Sequence, residues 1–118
     1  MQPMGPPGSQ ASEGKPAVIQ SALNELALTA ELTERGIPRY NLSGLPVTEG
    51  VLTHTSRRPE AGIEREVHLQ IQAIAMGEVA SRLGSIAPGT QVSVRGFLTQ
   101  ARRSTRLICL HLTHIDPY

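Results

Sequence analysis

From Asn24 the chain alternates. Leu26, Leu28, Ala30 and Leu32 are interleaved with Ala27, Thr29 and Glu31, the period of two that a strand with one buried face requires. Arg35-Gly36-Ile37-Pro38-Arg39 breaks this pattern, because glycine and proline mark a turn or loop. A second strand is expected over Leu45 to Thr55, anchored by Val47, Val51 and Leu52, with a bend at Gly50. Arg57 to Gly62 reads as a polar, charged turn. The third strand is the clearest: Val67, Leu69, Ile71 and Ala73 share one face, and His68, Gln70 and Gln72 share the other. Glu78 to Leu83 then spaces Val79 and Leu83 four apart, on one side of a short helix. Pro88-Gly89 turns the chain into a fourth strand, where Val92 and Val94 alternate up to Gly96. Gly96 reads as a barrel bend, and Phe97, just after that kink, is expected in the core. A last strand is expected over Arg106 to Ile115.

The order is three strands, a short helix and two strands, with no repeat at solenoid periods. Five short strands leave two open edges unless the sheet curls and closes. A helix between the third and fourth strands is the arrangement of the five-stranded OB-fold Greek-key barrel. An all-β OB domain is therefore expected over residues 22–118. Residues 1–21 are rich in Gly, Pro, Ser and Gln; they bury too little apolar surface to offset their ordering entropy and read as a disordered tail.

Composition narrows the picture. The single cysteine, Cys109, rules out an internal disulfide and fits a reducing compartment. No apolar run has the length of a membrane span. The N-terminus lacks the basic and apolar regions of a signal peptide, so a cytoplasmic protein is expected. Net charge is only +1, yet all the basic residues but Lys15 are arginines. From Val79 to Tyr118 five of them, Arg82, Arg95, Arg102, Arg103 and Arg106, face a single acid, Asp116. Arginine's planar fork suits phosphate better than lysine's point charge, and local clustering matters more than the sum.

An OB barrel presents ligands to its second and third strands and to the loops after the first and fourth. Here those loops are Arg35 to Ser43 and Thr99 to Thr105, and both carry arginines. Arg102, Arg103 and Arg106 read either as a solvated hairpin tip or as phosphate contacts, which give sequence-independent, salt-sensitive affinity. His68 and Gln70 read either as a solvated face or as base-stacking and base-bonding groups. Arg39 with Tyr40, and Arg57 with Arg58, read as surface groups or as further contacts in the first and second loops. His111 and His114 are three apart in a strand, hence expected on opposite faces, where they cannot chelate one ion; no zinc spacing exists. No nucleophile, acid–base pair or phosphate-cradling glycine motif is present. Neither a cofactor, a metal nor an enzymatic activity is expected.

Asn24-Glu25-Leu26, Ser43-Gly44-Leu45-Pro46, Val51-Leu52-Thr53-His54, Glu60-Ala61-Gly62 and Gly89 through Val92-Ser93-Val94-Arg95-Gly96-Phe97-Leu98 occur in one order from Asn24 to Asp116. In these elements the chain resembles the PriB family of primosomal replication proteins, relatives of bacterial single-stranded DNA-binding protein. The resemblance implies a homodimeric OB fold that binds single-stranded DNA in replication restart, with the primosomal helicase PriA as partner. It also implies DNA contact through basic residues of the loop after the fourth strand, where Arg102 and Arg106 fall with Arg103 beside them. Ile63 and His68 stand where the family pattern has a phenylalanine and a tryptophan, and the basic loop is shorter. Weaker and more salt-dependent binding is expected, or an adaptor role bridging helicase and loader with little nucleic-acid affinity. RNA in place of DNA differs only in the ligand.

Overall fold

A computed structural model describes residues 17–118. The expected disordered tail therefore lies outside the described residues over positions 1–16; residues 17–21 are exposed and carry no strand or helix.

The described chain forms β1 (Leu26–Arg35), β2 (Arg39–Tyr40), β3 (Pro46–Glu60), β4 (Ile63–Met76), α1 (Glu78–Gly84), β5 (Gln91–Gln100) and β6 (Ile108–Pro117). Strand order is β1-β5-β6-β4-β3-β2, and an additional β1–β3 pairing closes the barrel. Five long strands build it; β2 is a two-residue strand that pairs Arg39 with Val47 and Tyr40 with Pro46. This is the expected OB barrel with its helix between β4 and β5. Ala30, Leu32, Leu52, Ala73, Val92, Val94, Leu110, Leu112 and Ile115 fill the interior, and Ala80 and Leu83 of α1 plug one end.

Closure needs bends, and two are built alike. β1 carries a bulge at Thr33, between pairs Leu32–Leu52 and Glu34–Val51, and Gly50 pairs with Arg35 just beyond it. A Cβ at Gly50 would come within 2.8 Å of the Glu34 carbonyl oxygen. β6 carries a second bulge at Thr113, between pairs Arg95–His114 and Gly96–Leu112. A Cβ at Gly96 would collide with the His111 carbonyl. Extra residues on one strand and a missing side chain on its partner let the sheet turn sharply.

The second bulge corrects the histidine argument. Leu110, Leu112 and Ile115 all face the core, so alternation resets at Thr113, and His111 and His114 lie on the same outward side. Among the described residues no group of three or more potential metal ligands is found.

A second correction concerns Arg57 to Gly62. β3 and β4 pair without interruption from Val47–Met76 to Glu60–Ile63, so the turn is only Ala61-Gly62. Both residues have positive φ, 54° and 80°, as a two-residue type I′ hairpin turn demands. Arg57 and Arg58 are thus strand residues rather than loop residues. The barrel's strand pairing uses β3 as far as Thr53 and β4 from Gln72. His54 still bonds Thr29 of β1 and Ile71 still packs on the core, so residues 55–60 and 63–70 project as a two-stranded ribbon. No helix among the described residues is long and apolar enough to cross a membrane.

Candidate nucleic-acid interface

One end of the molecule gathers unpartnered arginines. The loop between β5 and β6 is closed at its base by Ala101 N–H donating to the Leu107 carbonyl at 2.8 Å. Gln100 Nε2 donates to the Thr105 carbonyl at 2.8 Å, and Leu107 N–H to Thr105 Oγ1 at 3.1 Å. These bonds order the loop without using its charges. Arg102, Arg103 and Arg106 are exposed, and among the described residues none of them has an ion-pair partner.

The position of this loop follows from strand pairing. β6 runs parallel to β4, with Cys109 beside Gln72 and His111 beside Ile74. Residues preceding β6 therefore lie toward Gln70 and His68, the outward groups of β4. Thr53 and Thr55 of β3 are paired opposite these two and bind them. Gln70 Nε2 donates to Thr53 Oγ1 at 3.2 Å, and His68 Nδ1 lies 3.2 Å from Thr55 Oγ1. Thr33 Oγ1, 3.1 Å from Thr53 Oγ1, continues the row. Two places on from Thr55, on the same outward side, stands Arg57, exposed and paired in register with Glu66. The fold thus brings Arg57, His68 and Gln70 to the end that carries the arginine loop.

Arg39 and Tyr40 are elsewhere. They pair with Val47 and Pro46, and Val47 is level with Met76. Eight residues of β4 separate that level from His68, about 26 Å at ~3.3 Å per residue. Arg39 is already tied to Glu49 at 3.0 Å, whereas Tyr40 is 75% exposed. Arg35, also read from the sequence as a loop residue, ends β1 and turns inward. Its guanidinium donates to the Gly84 and Ile86 carbonyls at 2.7 and 2.9 Å, satisfying acceptors at the end of α1.

Phe97 departs furthest from expectation. It faces outward, is 40% exposed, and stacks on His111 with ring centroids 5.2 Å apart and planes 21° apart. Alternation carried the signal: Val92, Val94 and Gly96 are buried, which puts Phe97 on the other side. Beneath the neighbouring row, Cys109 is buried, and burial first and Glu49 second push its thiol above the ordinary value. It is held neutral.

The fold agrees with that of solved relatives. Residues 24–114 match the model of a family described as another single-strand binding protein family. A replication restart protein PriB from Bordetella pertussis is 41% identical over 90 residues, covering 76% of this chain and 84% of its own. The chain belongs to the PriB family. A solved PriB from Ralstonia solanacearum is similar over 82% of this chain and 99% of its own, with TM-score 0.74 and 34% identity. The single-stranded DNA binding protein of Thermus aquaticus has TM-score 0.66 at 27% identity, covering 81% of this chain and 50% of its own. PriB-family membership and the barrel found here are thus consistent from sequence to topology.

Proposed function

We propose that this chain is a single-stranded DNA-binding accessory protein of replication restart, acting in the cytoplasm as a homodimer beside the primosomal helicase PriA. The observation that carries the reading is the coincidence of three exposed, unpartnered arginines with the outward row of Arg57, His68 and Gln70. An acid-free stretch from Val79 to Ile115 underlies it. Family membership supports the replication-restart pathway, and the dimer and the helicase are what the resemblance implies.

In this reading Arg102, Arg103 and Arg106 hold phosphates, His68 offers an imidazole to stack on a base, and Gln70 and Arg57 bond base or backbone. Arg39 and Tyr40 join only where a longer strand runs back along β3. A groove of charge with few stacking groups binds without sequence preference and with steep salt dependence. A titration of labelled oligo-dT across a salt series tests it. Affinity that falls steeply with salt is expected; no detectable binding at low salt overturns the DNA part.

The adaptor reading draws on Ile63 and His68, which replace aromatic groups of the family pattern. It predicts that helicase stimulation survives when oligonucleotide binding has been removed. Competition between matched DNA and RNA oligomers separates those two ligands.

A further inference from the structure

Beyond the arginine loop, the outward side of β5 carries Thr99, Phe97 and Arg95 in succession. Phe97 is stacked on His111 and Arg95 is exposed; among the described residues Arg95 has no ion-pair partner. From Gln100, where the loop begins, to Phe97 is three residues, about 10 Å at ~3.3 Å per residue. Arg95 lies about 7 Å further. The path from the loop passes over the Thr99–Cys109 pair and then Phe97–His111, and Gln72 and Ile74 flank it on β4. None of these is an acid, but Glu49 pairs with Ile74 and lies close enough to Cys109 to push its thiol up, so one acid flanks the path. Glu25 lines the cleft that holds Arg95, Phe97 and His114, so a second stands at the far end.

We infer that Phe97, stacked on His111 and followed by Arg95, is a second base-stacking station for single-stranded DNA, continuous with the arginine loop. The inference rests on the proposed DNA-binding reading and extends it to a face which neither that reading nor the sequence expectations used. Basic, aromatic, basic at short intervals on one face is what a sequence-tolerant single-strand track requires. Phosphates take the charges, and a base lies on the ring because every base has a π-face. His111 contributes by fixing the orientation of Phe97: a ring already stacked on one neighbour loses less freedom when a base packs against it.

The chain contains no tryptophan, so F97W places a unique fluorophore at this point. Indole emission of F97W should be quenched by oligo-dT with the same midpoint as anisotropy of a labelled oligomer, while a Y118W control should not respond. Phe97→Leu keeps an apolar side chain but removes the π-face. It should weaken oligomers long enough to reach β5 by about five- to a hundredfold, the range of one lost stack, and leave the shortest bound oligomers unchanged. Far-UV circular dichroism of F97L checks the fold, and F97W carries the test if F97L fails it. If oligomers bind but F97W is not quenched and F97L binds long ones normally, the inference is wrong. If F97L instead converts a sedimenting dimer to monomer with unaltered DNA affinity, the face is an interface between copies and the inference is equally wrong. Absence of all oligonucleotide binding by the unaltered chain would instead overturn the proposed function.

Discussion

The two ends of the barrel use arginine in opposite ways. At the helix end each guanidinium is committed to the protein's own acceptors. Arg35 binds the Gly84 and Ile86 carbonyls, Arg82 binds the Ile115 carbonyl and Asp116, and Arg39 binds Glu49. At the other end Arg57, Arg102, Arg103 and Arg106 are exposed, and among the described residues none of these four has an ion-pair partner; Arg65, near the ribbon tip, is paired with Glu60 at 3.2 Å. Residue type therefore says little about role; the acceptors within reach decide it. An arginine satisfied internally holds the fold, and one left in water is available to an external anion.

The largest expected effect tests the unpartnered set. Reversing Arg102, Arg103 and Arg106 to glutamate together should reduce oligo-dT affinity at low salt by more than about a hundredfold, or ~2.7 kcal/mol. Thermal stability should stay within about 0.5 kcal/mol, as for surface changes without structural partners. Their replacement by alanine should flatten the plot of log affinity against log salt by about two, from ~0.7 per phosphate contact on a single strand. Unchanged affinity in the charge-reversed protein would make the loop a solvated tip and favour the adaptor reading.

Next comes the partnered set. Arg35→Met removes two charge-assisted hydrogen bonds and leaves the Gly84 and Ile86 carbonyls short of a donor, so it should cost about 2–3 kcal/mol. Denaturant unfolding measures the loss. Oligonucleotide affinity of the folded fraction should be unaltered; a fall matching that of the loop variants would erase the distinction between the two ends.

The barrel was legible because its strands alternate and one face of each is buried. β1 and β4 show this in Leu26 to Leu32 and Val67 to Ala73, and α1 in Val79 and Leu83. The ribbon was not. Over Arg57 to Gly62 neither face reaches the core, so the apolar period vanishes, and Pro59 sits in β3 past Thr53, where one edge of the strand has no neighbour to bond. The histidines failed for a different reason: the bulge at Thr113 exists only in relation to β5, and a single strand's sequence does not display its partner. Phe97 was legible in principle. Its alternation with Val92 and Val94 places it outward, and the bend at Gly96 leaves that alternation intact because the extra residue lies on β6. Nothing local to residues 101–107 or 63–71 reveals the parallel β4–β6 register that brings His68 and Gln70 toward the loop.

A smaller effect sharpens the DNA-facing end. His68→Phe places an aromatic ring in the row with Gln70 and Thr55. It should tighten oligo-dT binding by about 1–2 kcal/mol, the lower part of the range for one stacked base. Since no phosphate contact is added, the salt slope should not change. Tighter binding with a steeper slope would mean that the substitution had rearranged the arginines.

The smallest expected effect falls on the residue that links the two classes. Arg39 belongs to the helix end by position, yet its partner Glu49 is as exposed as it is, with side chains 54% and 45% accessible. Exposed pairs of this kind contribute about 0–1 kcal/mol, because water screens the attraction and ordering two side chains opposes it. Arg39→Gln should therefore lower stability by no more than about 0.5 kcal/mol. With His68 about 26 Å away along β4, short oligomers held at the loop should bind R39Q as they bind the unaltered chain, and long ones should weaken by no more than about twofold, ~0.4 kcal/mol. Comparison of the two lengths in one titration series is decisive. Equal weakening at both lengths would place Arg39 in the grip itself, and the division between fold-holding and ligand-holding arginines would then have to be drawn by exposure rather than by the end of the barrel.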